Sequence, residues 1–287
     1  MSDNRIVRAI KEKSKSMEAE MSFFDHIEEL RWHLVRSSIA IIVITIGVFA
    51  FYDEIFDGII MGPSKTTFWT YRMMCEIGTW LNRPGMCVDK IHVDLINTEM
   101  AGQFTLQINS SLLIGVTLGF PYLLWELWRF IRPALHEKER KAASGFVFYA
   151  SFLFALGVLF GYYVISPMSI NFLAGYTVSS KIKNLFTIDS YISSVATLTL
   201  ATGAVFELPI LIYILANLGI LTAKIMRSTR RYAIVIILII AAVVTPTPDM
   251  LTMTVVSIPL FVLYEVGIIV AAIVEKRKIA RAKELDL

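Results

Sequence analysis

The chain has 287 residues, 56% of them hydrophobic and 18% charged, with a formal net charge of +3 and two cysteines. A soluble domain of this size carries nearer a quarter charged residues, and here the apolar residues stand in long blocks with a mean hydropathy of +0.63. A soluble globular domain is excluded, and nothing in the charge balance implies a nucleic-acid partner.

Residues 1–20 form a charged extension with Arg5, Arg8, Lys11, Lys13 and Lys15. It lacks the apolar stretch of a cleavable signal peptide, so the first span is expected to act as the insertion signal. In residues 21–34, Phe23, Ile27, Leu30 and Leu34 recur at helical spacing. Ser22 suits an N-cap, and Asp25, Glu28 and Glu29 fall where negative charge favours a helix start. This segment is predicted to be an interfacial helix preceding the first span, its acidic face toward the cytoplasm.

Six apolar blocks follow: Leu34–Phe51, Phe104–Leu127, Gly145–Ile165, Tyr191–Leu218, Tyr232–Val244 and Leu251–Val274. Blocks of this kind in lipid must be helical, because the bilayer core offers no partner for an open strand edge. The fifth has only 13 residues, which as a helix covers about 20 Å of a hydrocarbon core about 30 Å thick. The predicted fold is an all-α polytopic membrane protein of six transmembrane helices, a single unit over 21–275 with a basic tail at 276–287.

The first external segment, about 52–103, is long and carries Pro63, Pro84 and Gly85 as turn residues. Cys75 and Cys87 lie in it, 12 positions apart. Either they form a stabilising disulfide on an oxidising side or they are two free thiols. After the second block, Trp125 and Trp128 mark a membrane–water interface. Pro133 restricts Arg132 and helps end the helix. Glu137 and Glu139 then sit on a short basic loop.

Glu126, Glu207 and Glu265 lie within or beside apolar runs, where an acid is costly and by default functional. Glu126 falls near the inner interface. Glu207 stands deeper, and Pro209 after it leaves a backbone carbonyl without its helical donor. Pro246 and Pro248 close a tight external hairpin that ends in Asp249. If the sixth span mirrors the short fifth, Glu265 reaches the inner boundary after about 15 residues.

The basic residues orient the chain. With the N-terminus inside, 21 of the 27 Lys and Arg residues fall on the cytoplasmic side. Only Lys65, Arg72, Arg83, Lys90, Lys181 and Lys183 lie outside. The positive-inside rule then gives both termini cytoplasmic.

Several segments taken together resemble the TatC family. His26-Ile27-Glu28-Glu29-Leu30-Arg31 matches the family pattern of His, Leu, any residue, Glu, Leu, Arg, with Ile27 a mild departure. Phe130-Ile131-Arg132-Pro133-Ala134-Leu135, with Glu139-Arg140 downstream, matches the loop motif. Phe206-Glu207-Leu208-Pro209 matches Phe-Glu-x-Pro, and Thr245-Pro246, Pro248-Asp249 and Ile258-Pro259 match the last hairpin, with Thr247 as an extra residue. The resemblance runs from about residue 21 to 275.

It implies the core receptor of the twin-arginine translocation system, in the bacterial inner membrane. Such a receptor binds twin-arginine signal peptides of folded precursors and recruits single-span TatA and TatB partners for export driven by the proton-motive force. It also implies self-association in a larger complex and a cupped arrangement whose last two helices are short. Carried over by position, Glu29 and Glu139 become the arginine binders, while Arg31, Phe130 and Leu135 shape the same patch. A planar guanidinium paired with a fixed carboxylate is chemically apt for that role. Glu207, with Pro209, faces a cavity for partner or signal-peptide contacts.

Two other classes compete. An intramembrane enzyme is disfavoured, because His26, His33, His92 and His136 all fall outside the predicted spans and no phosphate-binding Gly-Lys pair occurs. No cofactor or metal motif is present. A small-solute secondary transporter is the alternative, since buried acids and broken helices are its usual parts. It would predict two similar halves, and the motifs found here each occur once.

Overall fold

The computed structural model describes residues 23–80, 87, 94–131, 145–179, 181–182, 184–245 and 250–285. Among these, five helical segments are long and apolar enough to cross a membrane: Ile27–Ala50, Gly102–Ile131, Phe146–Gly175, Ile188–Asn217 and Thr252–Ala280. The remaining expected span, the fifth in chain order, is a helix of only 15 residues, Arg230–Val244. Exposed Ile39, Val43 and Ile46 on the first helix and Phe148, Phe152 and Leu159 on the third show how these helices turn apolar side chains outward. That pattern suits hydrocarbon as the solvent.

Helix α1 is Phe23–Ala50. It corrects one expectation: the acidic segment at 21–34 is no separate interfacial helix, but the first turns of the spanning helix itself. Nothing between Phe23 and Leu34 breaks helical hydrogen bonding, since this stretch holds neither Gly nor Pro. Ser22, the expected cap, lies outside the described residues. A short helical turn (Tyr52–Ile55) and a π-helical turn (Phe56–Ile60) follow, then Gly62–Ser64 and helix α2, Trp69–Trp80.

Helix α3 is Gly102–Ile131. It packs along α1 through small residues, as is usual between membrane helices. A side chain at Gly115 would run into Thr45, and one at Gly119 would press on Ile41. Helix α4 (Phe146–Phe160) continues through a π-turn (Gly161–Ile165) into α5 (Ser166–Gly175), ten residues beyond the apolar block. Helix α6 (Ile188–Phe206) crosses α4 where Gly157 meets Phe206 and Gly203 meets Phe154.

The fourth expected span, read as one run, is broken just before Pro209. Helix α6 stops at Phe206, and α7 restarts at Leu208 and runs to Asn217. Gly219, at φ 77°, takes the left-handed conformation that ends this helix. Helices α8 (Ala223–Ser228), α9 (Arg230–Val244) and α10 (Met250–Leu285) complete the chain. Thr222 caps α8 by accepting from the Ile225 amide at 3.3 Å.

Of the two last helices expected to be short, only α9 is. Helix α10 has 36 residues and carries the basic tail as helix rather than as a loose end. Lys, Arg, Glu and Ala are good helix formers, so the charge run from 275 onward does not stop it. Arg230 at the start of α9 pairs with Glu265 of α10 at 2.6 Å. Beyond that level α10 packs on α7 and α8 through Ile212, Ala216, Met226, Ile268 and Ala271. Lys278 then donates to the terminal carbonyls of α7, Ala216 at 3.2 Å and Asn217.

At the end of the bundle expected to face outward, two residues of strand β1 (Leu95–Ile96) pair in parallel with β2 (Phe186–Thr187). Tyr71 is buried, and its hydroxyl donates to the carbonyls of Pro63 and Pro167, 2.9 Å from each. Tyr191 donates to the Ile60 carbonyl at 2.9 Å. Cys75 of α2 is joined to Cys87 by a disulfide. Pro63 is itself buried in this cap. Pro248 and Asp249 lie outside the described residues.

Candidate functional site

The first turns of α1 and the last turns of α3 lie side by side, and their facing positions are polar. Glu29, His33 and Ser37 recur every fourth residue, which puts them on one stripe of α1. Tyr122, Glu126 and Arg129 form the matching stripe of α3 at spacings of four and three.

Glu126 sits at the centre, 1% exposed. His33 Nδ1 lies 2.5 Å from its Oε2. Tyr122 donates its hydroxyl to Oε1 at 2.9 Å, and Arg129 Nη1 approaches the same oxygen at 3.4 Å. A buried carboxylate is tolerable only with such donors, and here both oxygens are supplied. The Arg129 guanidinium also lies over the Trp125 ring, 5.0 Å from its centroid. Phe130 meets the His33 ring edge-on at 6.1 Å between centroids.

Beside this cluster a cavity of about 380 Å³ is lined by Glu29, Trp32, His33, Arg36 and Arg129. Glu29 Oε2 is out of solvent and accepts no hydrogen bond among the described residues. Chemically, this is a half-buried acid beside an open space that an indole borders, with one oxygen that no donor among the described residues engages. Such a place receives a cation, and a planar guanidinium best of all.

Of the residues expected to form the patch, the structure brings Glu29 and Phe130 to the same pair of helix ends. Arg31, two positions beyond Glu29, is exposed on α1 and is not among the residues lining the cavity. Pro133, Leu135 and Glu139 lie outside the described residues. The sequence reading missed His33, Trp32, Arg36 and Arg129, and it left Glu126 as an acid near the interface without partners. It also set His33 outside the spans, whereas His33 lies inside the first one and is 7% exposed. The available signal was the four-residue spacing from Glu29 to His33.

Glu207 belongs to another part of the molecule. It occupies the break between α6 and α7, where its amide closes the last turn on the Ala204 carbonyl at 3.2 Å. Its Oε1 is buried without a hydrogen-bond partner among the described residues. Pro209 lines a neighbouring cleft with Tyr149, Tyr213, Val270 and Arg277.

The family model described as "Sec-independent protein translocase protein (TatC)" matches residues 25–259. The chain belongs to the TatC family. It is 37% identical over 266 residues to the Sec-independent protein translocase protein TatC of Blattabacterium sp., covering 92% of this chain and all of that one. Against the TatC of Deinococcus radiodurans it is 34% identical over 255 residues, 89% of this chain and 87% of the other.

A solved structure, "Crystal Structure of Twin Arginine Translocase Receptor- TatC", superposes with a TM-score of 0.63 at 30% identity. It covers 87% of this chain and 99% of its own. Membership of TatC makes the chain a protein-translocase subunit with an all-α polytopic fold, a transport component rather than an enzyme. It also sets the polar cluster of α1 and α3 inside the region the family model spans.

Proposed function

We propose that this chain is the signal-peptide receptor of a multi-subunit twin-arginine translocase, and that the cavity beside Glu29 takes one arginine of the signal. The observation that carries the reading is Glu29: its side chain lines a cavity shared with Trp32, and its Oε2 is withdrawn from solvent without a hydrogen-bond partner among the described residues. Burial weakens the competition of water for that oxygen, so an incoming guanidinium gains more there than at an exposed acid. Glu139, in the segment that follows α3, is the second arginine binder, with Arg31, Phe130 and Leu135 forming the surrounding surface. Glu207, unpartnered at its helix break, receives polar groups of single-span TatA- or TatB-type partners or of the inserted signal.

The orientation belongs to the same reading. The basic loops and both termini face the cytoplasm of a bacterial inner membrane. The Cys75–Cys87 disulfide and the external cap then lie on the oxidising side, where such bonds persist.

The test is export of a folded reporter carrying a twin-arginine signal. Glu29→Ala and Glu139→Ala each abolish export while the protein still inserts at normal abundance. Undiminished export in both single variants and in the double variant overturns the assignment.

A further inference from the structure

Two acids border the gap between α1 and α3, and only one of them is engaged. Glu126 has His33 on one oxygen and Tyr122 with Arg129 on the other, and it is 1% exposed. It has no room to receive an arginine from outside. Glu29 Oε2 has no partner among the described residues.

Yet two guanidiniums of the chain itself, Arg36 and Arg129, line the same cavity as Glu29. Arginine is always charged, and its fork fits a carboxylate. An internal arginine that closed on Glu29 would occupy the place a ligand needs. Arg36 stands seven residues along the same helix, about 10 Å away along its axis. Arg129 comes from the facing helix, across the same cavity. What holds it is the Glu126 oxygen three residues earlier, at 3.4 Å, together with the Trp125 face.

We propose that Glu126 determines the specificity of this site by retaining Arg129, so that Glu29 stays vacant for an arginine of an incoming peptide. Glu126 is thus a positioning residue that never touches the ligand. The inference rests on the reading that Glu29 receives an arginine.

The experiment measures binding of a fluorescent synthetic peptide with an Arg-Arg signal, and of its Lys-Lys counterpart, to the full chain in lipid nanodiscs. Glu126→Gln keeps the shape and hydrogen-bonding capacity of the side chain but removes the charge that retains Arg129. It weakens Arg-Arg peptide binding about tenfold. Adding Arg129→Gln to that variant brings the affinity back to within about threefold of the parent, because the internal competitor is gone. A merely structural loss is not restored by a second substitution.

Glu126→Asp is measured in parallel. It keeps the charge but withdraws it by one methylene, giving a smaller loss that Arg129→Gln likewise restores, and it decides the matter if Glu126→Gln does not yield folded protein. Unchanged binding in the Glu126 variants, or a loss that Arg129→Gln fails to restore, overturns the inference. Glu29→Gln separates the two levels. If it binds peptide like the parent, the underlying reading fails. If it loses binding while the Glu126 variants do not, only the role of Glu126 fails.

Discussion

His33 and Glu126 are 93 positions apart in the chain, and their side chains meet at 2.5 Å between α1 and α3. The contact fastens the helix that carries Glu29 to the helix that precedes Glu139 in the chain. Breaking one side of a buried polar pair strands the other. His33→Ala is therefore expected to lower stability by about 2–4 kcal/mol. The paired replacement His33→Leu with Glu126→Leu recovers most of that loss. Thermal unfolding in detergent, followed by circular dichroism, checks both.

Glu207 presents a buried oxygen without a hydrogen-bond partner among the described residues, at a helix break. Glu207→Ala is expected to reduce export of a twin-arginine reporter about tenfold or more, with normal amounts of protein in the membrane. Photocrosslinking from a probe at position 210, on the turn after the break, loses its partner adduct in the same variant. Full export together with unchanged crosslinking in Glu207→Gln makes Glu207 a bystander.

The Cys75–Cys87 bond closes a loop of 12 positions. A crosslink of that span contributes about 3 kcal/mol by restricting the unfolded chain. Alkylation without reductant is expected to label neither thiol, and both after reduction, as read by mass spectrometry. Cys75→Ser lowers the unfolding midpoint.

Tyr71 gives the external cap an alkaline limit. Burial pushes its phenol above the ordinary value of 10.0. The unfolded chain therefore releases this proton first as pH rises. The stabilisation is fully present below pH 10 and is lost progressively above it. Tyr71→Phe, which also gives up the contacts to Pro63 and Pro167, is expected to cost about 1–2 kcal/mol at neutral pH. It also flattens the decline in midpoint measured above pH 10.

Most of the spans were legible because a bilayer demands long apolar runs, and a run announces itself locally. The shortness of α9 was legible for the same reason. The length of α10 was not, because a charged sequence reads as a tail whether or not it stays helical. The partners of Glu126 were not legible either. Spacing rules connect Tyr122, Glu126 and Arg129 within one helix, but no local rule links Glu126 to His33. Only the close approach of α1 and α3 at Gly115 and Gly119 brings them together. Helix α2 escaped notice because an external segment needs no apolar run.

The Tyr71 contact also sets a timetable for biogenesis. Tyr71 and Pro167 are 96 positions apart, and β1 waits for β2 in the same way. At a synthesis rate of about 5–20 residues per second, the first external segment stands unsealed for roughly 5–20 s after it emerges. Its lid closes only when the second hairpin has crossed the membrane. Until then the half-made chain carries an unfinished cap, whose missing partners arrive only with the end of the third span and the segment that follows it.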